Sequence, residues 1–147
     1  MLSPDFVGRE YPSTGTHEIQ ASAIAAFARA INDPNPAYFD AEAAVALGYP
    51  DVVSPPTFLI GIALDESQRA LSDPELGLDW SRVVHGDQRF EFHRPTVAGD
   101  VLSCKSTIEA IKSMAGNDFV TMRADFVDAG SAPVASAWSM LVVRGEA

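Results

Sequence analysis

Between Ala21 and Ile31 the apolar residues Ala21, Ile24, Phe27, Ala28 and Ile31 return every three or four positions. That spacing is one face of an amphipathic helix. Pro34 has no amide hydrogen and disfavours helical geometry in the residue before it, so this helix is expected to stop ahead of it. Asp40 has the character of an N-cap for a short helix, Ala41 to Leu47, closed by Gly48 with Pro50 beyond. A third helix is expected to start near Ser54, with Pro55 and Pro56 in its first turn, and to run through TFLIGIALDESQRAL. Its first half, Phe58 to Leu64, is apolar on all sides and is expected to be wholly buried.

After the polar stretch SDPELGLDWS the period changes from helical to alternating. QRFEFH puts Phe90 and Phe92 on one face and Arg89, Glu91 and His93 on the other. LSCKSTI turns Leu102, Cys104 and Ile108 inward and Lys105 and Thr107 outward. FVTMRADF lines up Val120, Met122, Ala124 and Phe126, and VASAWSMLVV makes a fourth long strand. TVAGD, AGND and DAGSAP supply the turns between them. Four long antiparallel strands after one buried helix imply an α+β hot-dog fold, an antiparallel curved sheet wrapped around a long buried helix. The length suits one such domain over residues 1–147. A single sheet layer cannot bury both of its faces, so two such domains are expected to pair.

Composition narrows the partners. Twenty acidic against ten basic residues give a formal charge of -10, which repels nucleic acid and anionic lipid. Any contact with a phosphate must then be local, through residues such as Arg89, Arg94 or Lys105. No apolar run is long enough for a membrane span, and MLSPDFVGRE lacks the basic flank and apolar segment of a signal peptide. The single cysteine, Cys104, excludes an internal disulfide and suits a reducing cytosol, so a cytoplasmic protein is expected. Cys104 falls on the inward face of its strand and reads as core. No histidine–cysteine–acid cluster has metal-binding spacing, and no glycine pattern has the form of a phosphate or dinucleotide loop, so no metal or cofactor is expected.

Three stretches taken together carry a resemblance: FVGREYP near the start, NDPNPAYFDAEAAVALGYPDVVSPPTF in the middle, and HGDQRFEFHRPTVAGDVL leading into the sheet. In that order and spacing the chain resembles the MaoC-like (R)-specific enoyl-thioester hydratases, and especially their FAS1-like dehydratase branch. Catalytic members of that family carry a pattern written roughly D-x-N-P-x-H-x-D. On this chain the aspartate is Asp33, the Asn-Pro pair is Asn35 and Pro36, and the last acid is Asp40. The histidine position holds Tyr38. Where those enzymes open the buried helix with an alanine-histidine-glycine turn, this chain has SPPTF. Both departures resemble the non-catalytic subunits of heterodimeric (3R)-hydroxyacyl-carrier-protein dehydratases.

The resemblance therefore implies a subunit that shapes the acyl tunnel for an acyl-CoA or acyl-carrier-protein thioester. A second MaoC-like subunit, in a heterodimer or heterotetramer, would supply the catalytic Asp and His. The implied substrate-binding residues are Asn35, Tyr38, Pro56, Thr57, Phe58 and His85, with Asp33 as a residual catalytic acid. Hydration of a trans-2-enoyl thioester needs a base for water and a donor for the developing enolate oxygen. Tyrosine is a poor base here, because ionising it at pH 7 costs about 4 kcal/mol, roughly a thousandfold in active fraction. Asp33 alone is a weak base unless burial raises it.

Plainer readings stand beside these. Asp33 also suits a helix-ending turn, Asp40 a cap, Tyr38 a buried aromatic, and His17, His85 and His93 surface or structural positions. Three other functions remain open on the sequence. One is a self-sufficient homodimeric hydratase in which Asp33 works with His85 or His93. Another is a non-enzymatic acyl-thioester binding protein, and the last is a thioesterase, which the fold also supports.

Overall fold

The structure, a computed structural model, describes residues 1–145. Helix α1 spans Ala21–Ala30 and buries Ile24 and Ala28. Beyond it Asn32 turns the chain at φ 59°, ahead of Pro34. Helix α2 spans Ala41–Ala46, and Asp40 Oδ1 caps it by accepting the Glu42 N–H at 2.8 Å. Gly48, at φ 92°, closes it, and the Tyr49 N–H returns to the Ala44 carbonyl at 3.1 Å.

Helix α3 spans Ile60–Leu71, a later start than the sequence suggests. Ser54 and Pro55 each precede a proline, which disfavours helical geometry at both positions. The chain instead makes two short turns, Phe58 N–H to Pro55 O at 3.0 Å and Ile60 N–H to Thr57 O at 3.1 Å. The expectation that Phe58 to Leu64 is wholly buried also needs correcting. Leu59 and Ala63 are buried, whereas Gly61 is exposed and Leu64 is 40% exposed. The helix has support on one side only.

That support is a six-stranded antiparallel sheet. Its strands are β1 (Glu10–Tyr11), β2 (His17–Glu18), β3 (Val83–Phe92), β4 (Val101–Met114), β5 (Asn117–Asp128) and β6 (Pro133–Val143). The order is β1-β4-β5-β6-β3, with β2 also pairing to β4. Helix α3 lies mainly over β4, with smaller contacts to β5 and β6. This is the hot-dog arrangement. Leu102, Cys104 and Ile108 of β4 meet Val120, Met122, Ala124 and Phe126 of β5 in the core, all buried as the alternation predicts.

Two departures matter for the surface. Thr107, which the alternation turns outward, is only 7% exposed. Strand β1 pairs beside it, so it lies between Glu10 and Arg123 in the ladder, and those long side chains cover it. Strand β3 is a terminal strand with one edge unpaired in this chain. Near its end Phe90 and Phe92 stack with ring centres 5.9 Å apart, and Phe92 is 40% exposed. Among the described residues, no helix is long and apolar enough to cross a membrane.

Candidate functional site

The segment between α1 and α2 is a chain of side-chain caps. Asp33 Oδ1 accepts the Asn35 N–H at 3.1 Å, and Asn35 Oδ1 accepts the Ala37 N–H at 3.0 Å. A short 3-10 turn, Pro36–Tyr38, follows and carries Tyr38 into the core at 8% exposure. Burial raises the Tyr38 hydroxyl above the usual tyrosine range, and the charge of Asp33 and the nearby Tyr49 add to the rise, with Asn35 opposing it. Asp33, Asn35 and Tyr38 are thus brought together, and the phenol is held neutral. A neutral phenol donates a hydrogen bond but does not take a proton from water.

The chain leading into α3 is tied to the Tyr38 turn, where the Val53 N–H donates to the Ala37 carbonyl at 3.1 Å. The Ser54 N–H donates to the Thr96 carbonyl at 2.9 Å, and an isolated bridge joins Val53 to Val97. Phe58 packs edge-to-face on Phe27, ring centres 5.6 Å apart. Pro56 and Thr57 are exposed. Among the described residues the Thr57 N–H meets no acceptor, so it remains an open donor in the turn ahead of the helix.

Two hollows adjoin these segments, and neither is lined by Asn35, Tyr38, Thr57 or Phe58. One, of about 310 Å³, is lined by Tyr49, Ser54, Pro56, Phe92, His93 and Thr96 among others. The second, of about 480 Å³, is lined by Ala28, Arg29, Asn32, Asp33, Pro34 and Phe39. Tyr38 is influenced by Asp33 from one hollow and by Tyr49 from the other. Asp33 and His93 therefore line different hollows. His85 lines neither: it is exposed on β3 beside a bulge, and its Nε2 pairs with Gln88 Oε1 at 3.2 Å.

Sequence reasoning misses Tyr49, Phe92 and Thr96 as cavity walls, because they converge from segments far apart in the chain. His17, read as a surface or structural position, is about one-third exposed and has a buried partner. His17 Nε2 is 2.8 Å from Oε1 of Glu66, a carboxylate 4% exposed in the middle of α3. Cys104 is fully buried, and burial, with smaller contributions from the charges of Glu66 and Asp125, pushes its thiol up to about 12. Among the described residues, no three His, Cys, Asp or Glu side chains are grouped to hold a metal.

Known proteins are similar to this chain in sequence and fold. Residues 5–137 match the model of the FAS1-like, dehydratase domain region. A UPF0336 protein of Streptomyces coelicolor is 52% identical over 143 residues, covering 97% of this chain and 95% of that relative. A UPF0336 protein of Thermobifida fusca is 46% identical over 146 residues, covering 99% of this chain and 96% of that one. Among solved structures, the C-terminally truncated HadBC (3R-hydroxyacyl-ACP dehydratase) complex from Mycobacterium tuberculosis superposes with a TM-score of 0.87 at 30% identity. That match covers 96% of this chain and 99% of the other. A MaoC-like dehydratase superposes with a TM-score of 0.89 at 29% identity, over 95% of this chain and 42% of its own.

Proposed function

The chain belongs to the family of FAS1-like dehydratase domains, and on that premise we propose that it is the tunnel-shaping subunit of an (R)-specific enoyl-thioester hydratase or 3-hydroxyacyl-thioester dehydratase. The observation that carries this reading is Tyr38. It stands where the catalytic relatives hold their histidine, it is buried, and its hydroxyl is kept neutral by burial and by the charge of Asp33. No histidine lines the hollow that Asp33 lines. Water activation at this site would therefore rest on Asp33 alone, and its Oδ1 is already accepting the Asn35 N–H.

The other half of the chemistry is better supported. The hollow by Tyr49, Ser54, Pro56, Phe92 and His93 is walled by apolar and aromatic groups with a few polar atoms, a character suited to an acyl thioester. The Thr57 N–H lies in the turn just ahead of α3 and is open to donate to a thioester oxygen. The unpaired edge of β3 and the exposed side of α3 suit a second hot-dog subunit, which would supply the catalytic Asp and His.

The test is turnover of a short trans-2-enoyl-CoA by the purified chain, followed by loss of enoyl absorbance. Alone, the chain is expected to bind the thioester without an Asp33-dependent rate. Addition of a MaoC-like subunit that carries the Asp-His pair is expected to restore hydration. An Asp33-dependent rate from the chain alone would overturn the subunit reading in favour of a self-sufficient homodimer. Binding with no turnover in any combination would leave an acyl-thioester binding protein.

A further inference from the structure

The face of the sheet turned away from α3 has two unlike halves. Toward the start of β4 its charges are matched within the chain. Lys105 Nζ is 2.7 Å from Glu10 Oε1, Arg123 Nε is 2.9 Å from Asp125 Oδ2, and the Ser136 hydroxyl donates to Asp125 Oδ1 at 2.7 Å. Arg89 lies 3.6 Å from the centre of the Trp138 ring and 3.8 Å from Glu91. This half has the character of an ordinary solvated sheet face.

Toward the end of β4 the same face is largely apolar. One row across the strands is Lys112, Phe119, Val142 and Val84, and the next includes Thr121, Met140 and Asp87. Phe119, Met140 and Val142 are half-buried, Val84 is 43% exposed, and a hollow of about 710 Å³ opens over Phe119 and Met140. Gly86, at the β3 bulge, leaves room for these side chains. A Cβ there would stand 2.9 Å from Met140 Cε and 3.1 Å from Val142 Cγ2. Two charges sit at opposite margins of this half, Lys112 on β4 and Asp87 on the terminal strand β3. Both are exposed, and among the described residues neither has an ion-pair partner.

From this we infer that a second copy of the chain packs on this half, sheet against sheet. The inference goes beyond the function proposed above, because a catalytic subunit at the β3 edge and α3 leaves this face free. Two sheets that face each other can be related by a two-fold axis along the strands or across them. An axis across the strands sets β4 on β4 and β3 on β3, like charge against like. An axis along the strands, between β5 and β6, sets β4 of one copy over β3 of the other. Each Lys112 then comes over a strand that carries Asp87, at both margins of the contact. The charges thus select one packing, with Phe119, Trp138 and Met140 toward its centre. Phenylalanine, tryptophan and methionine are residue types enriched in such contacts. With strands about 4.8 Å apart and rows about 7 Å apart, three rows on four strands make a patch of roughly 400 Å². That is about half of the roughly 800 Å² that a stable interface takes from each partner, so a dimer of micromolar strength is expected. The charge of -10 on each copy opposes association, but salt screens it beyond about 8 Å.

The experiment measures self-association of the purified chain alone by sedimentation equilibrium. The wild type is expected to form a dimer that dissociates in the micromolar range. Lys112→Asp and Asp87→Lys change exposed residues that take no part in the proposed thioester site. Each is expected to weaken the dimer about tenfold, because each contact occurs twice. The double variant Lys112→Asp/Asp87→Lys is expected to return to within about threefold of wild type. Within one chain the two residues are three strand spacings apart, about 14 Å, so the rescue comes from contact between copies. Far-ultraviolet circular dichroism checks that the variants are folded. A chain that stays monomeric overturns the inference. So does a dimer that the single variants leave intact, or one that both weaken and the double variant does not restore. Thioester binding and hydration are measured separately, so their failure beside an intact charge rescue removes the proposed function and leaves this interface standing.

Discussion

His17 Nε2 lies 2.8 Å from Glu66 Oε1, so the short strand β2 is tied to the middle of α3 through a carboxylate that is 4% exposed. Arg69 approaches the other carboxylate oxygen at 3.4 Å and donates to the Pro12 carbonyl at 2.8 Å. Together they hold the segment ahead of α1 against the helix. A buried carboxylate that loses a partner bears its desolvation with less compensation. His17→Ala is expected to lower stability by about 2 kcal/mol, and Tm by about 4–8 °C. Glu66→Gln, which keeps the shape, is expected to cost less. Calorimetry on both variants checks this; a His17→Ala protein melting with the wild type would show the pair to be incidental.

Cys104 gives a dependence on pH. Its thiol is pushed up to about 12 in the folded chain, whereas an exposed thiol ionises near 9. As pH rises past 9 the unfolded chain loses this proton first, so the folded state binds more protons and stability falls between about pH 9 and 12. The loss is expected to be about 1 kcal/mol by pH 10, read from urea midpoints. Tyr11 and Tyr38, also raised, add to the decline above about pH 10. At pH 8 a thiol reagent is expected to label Cys104 only on unfolding. Rapid labelling of the native protein would contradict its burial.

Much of this architecture is legible in the chain because it depends on neighbours in sequence. The α1 stop before Pro34, the Asp40 cap and the inward face of β5 follow from local rules, and they are found. What the chain conceals depends on tertiary supply. Phe58 to Leu64 is apolar all round, yet which side is covered depends on where the sheet ends. Thr107 is buried because β1, only two residues long, happens to pair beside it. The two hollows are likewise hidden, since residues 28 to 39 and 49 to 96 reach them from several elements. Asp33, Asn35 and Tyr38 can be grouped from their spacing alone.

Tyr38 permits a direct test of the chemistry. Its hydroxyl has Asn35, Asp33 and Tyr49 as polar neighbours. Tyr38→Phe is expected to change stability by no more than about 1 kcal/mol and to retain thioester binding. Tyr38→His places an imidazole near Asp33. A positioned base contributes at least about a hundredfold in favourable cases, so even imperfect geometry is expected to raise enoyl-CoA hydration about tenfold over the parent chain. Addition of Asp33→Asn is expected to remove the gain. If Tyr38→His yields no rate while binding persists, the double bond does not lie beside Tyr38.

The exposed side of α3 gives the last prediction. Gly61 is the second residue of the helix, and a Cβ built there meets nothing within 4 Å. Within this chain, glycine there gains nothing and weakens the helix by about 0.5 kcal/mol relative to alanine. Close approach by another helix is a physical reason for its smallness, and Leu64, 40% exposed, follows three positions later on the same face. If a second subunit covers that face, Gly61→Ala is expected to stabilise the isolated fold slightly while weakening association. Leu64→Asp is expected to weaken association at least about tenfold, because a charge would be desolvated in an apolar contact. Its effect on the lone chain should stay within about 0.5 kcal/mol, as for other exposed sites. Sedimentation equilibrium measures the association and urea unfolding the fold. If both variants assemble as the wild type does, the contact between subunits lies away from α3.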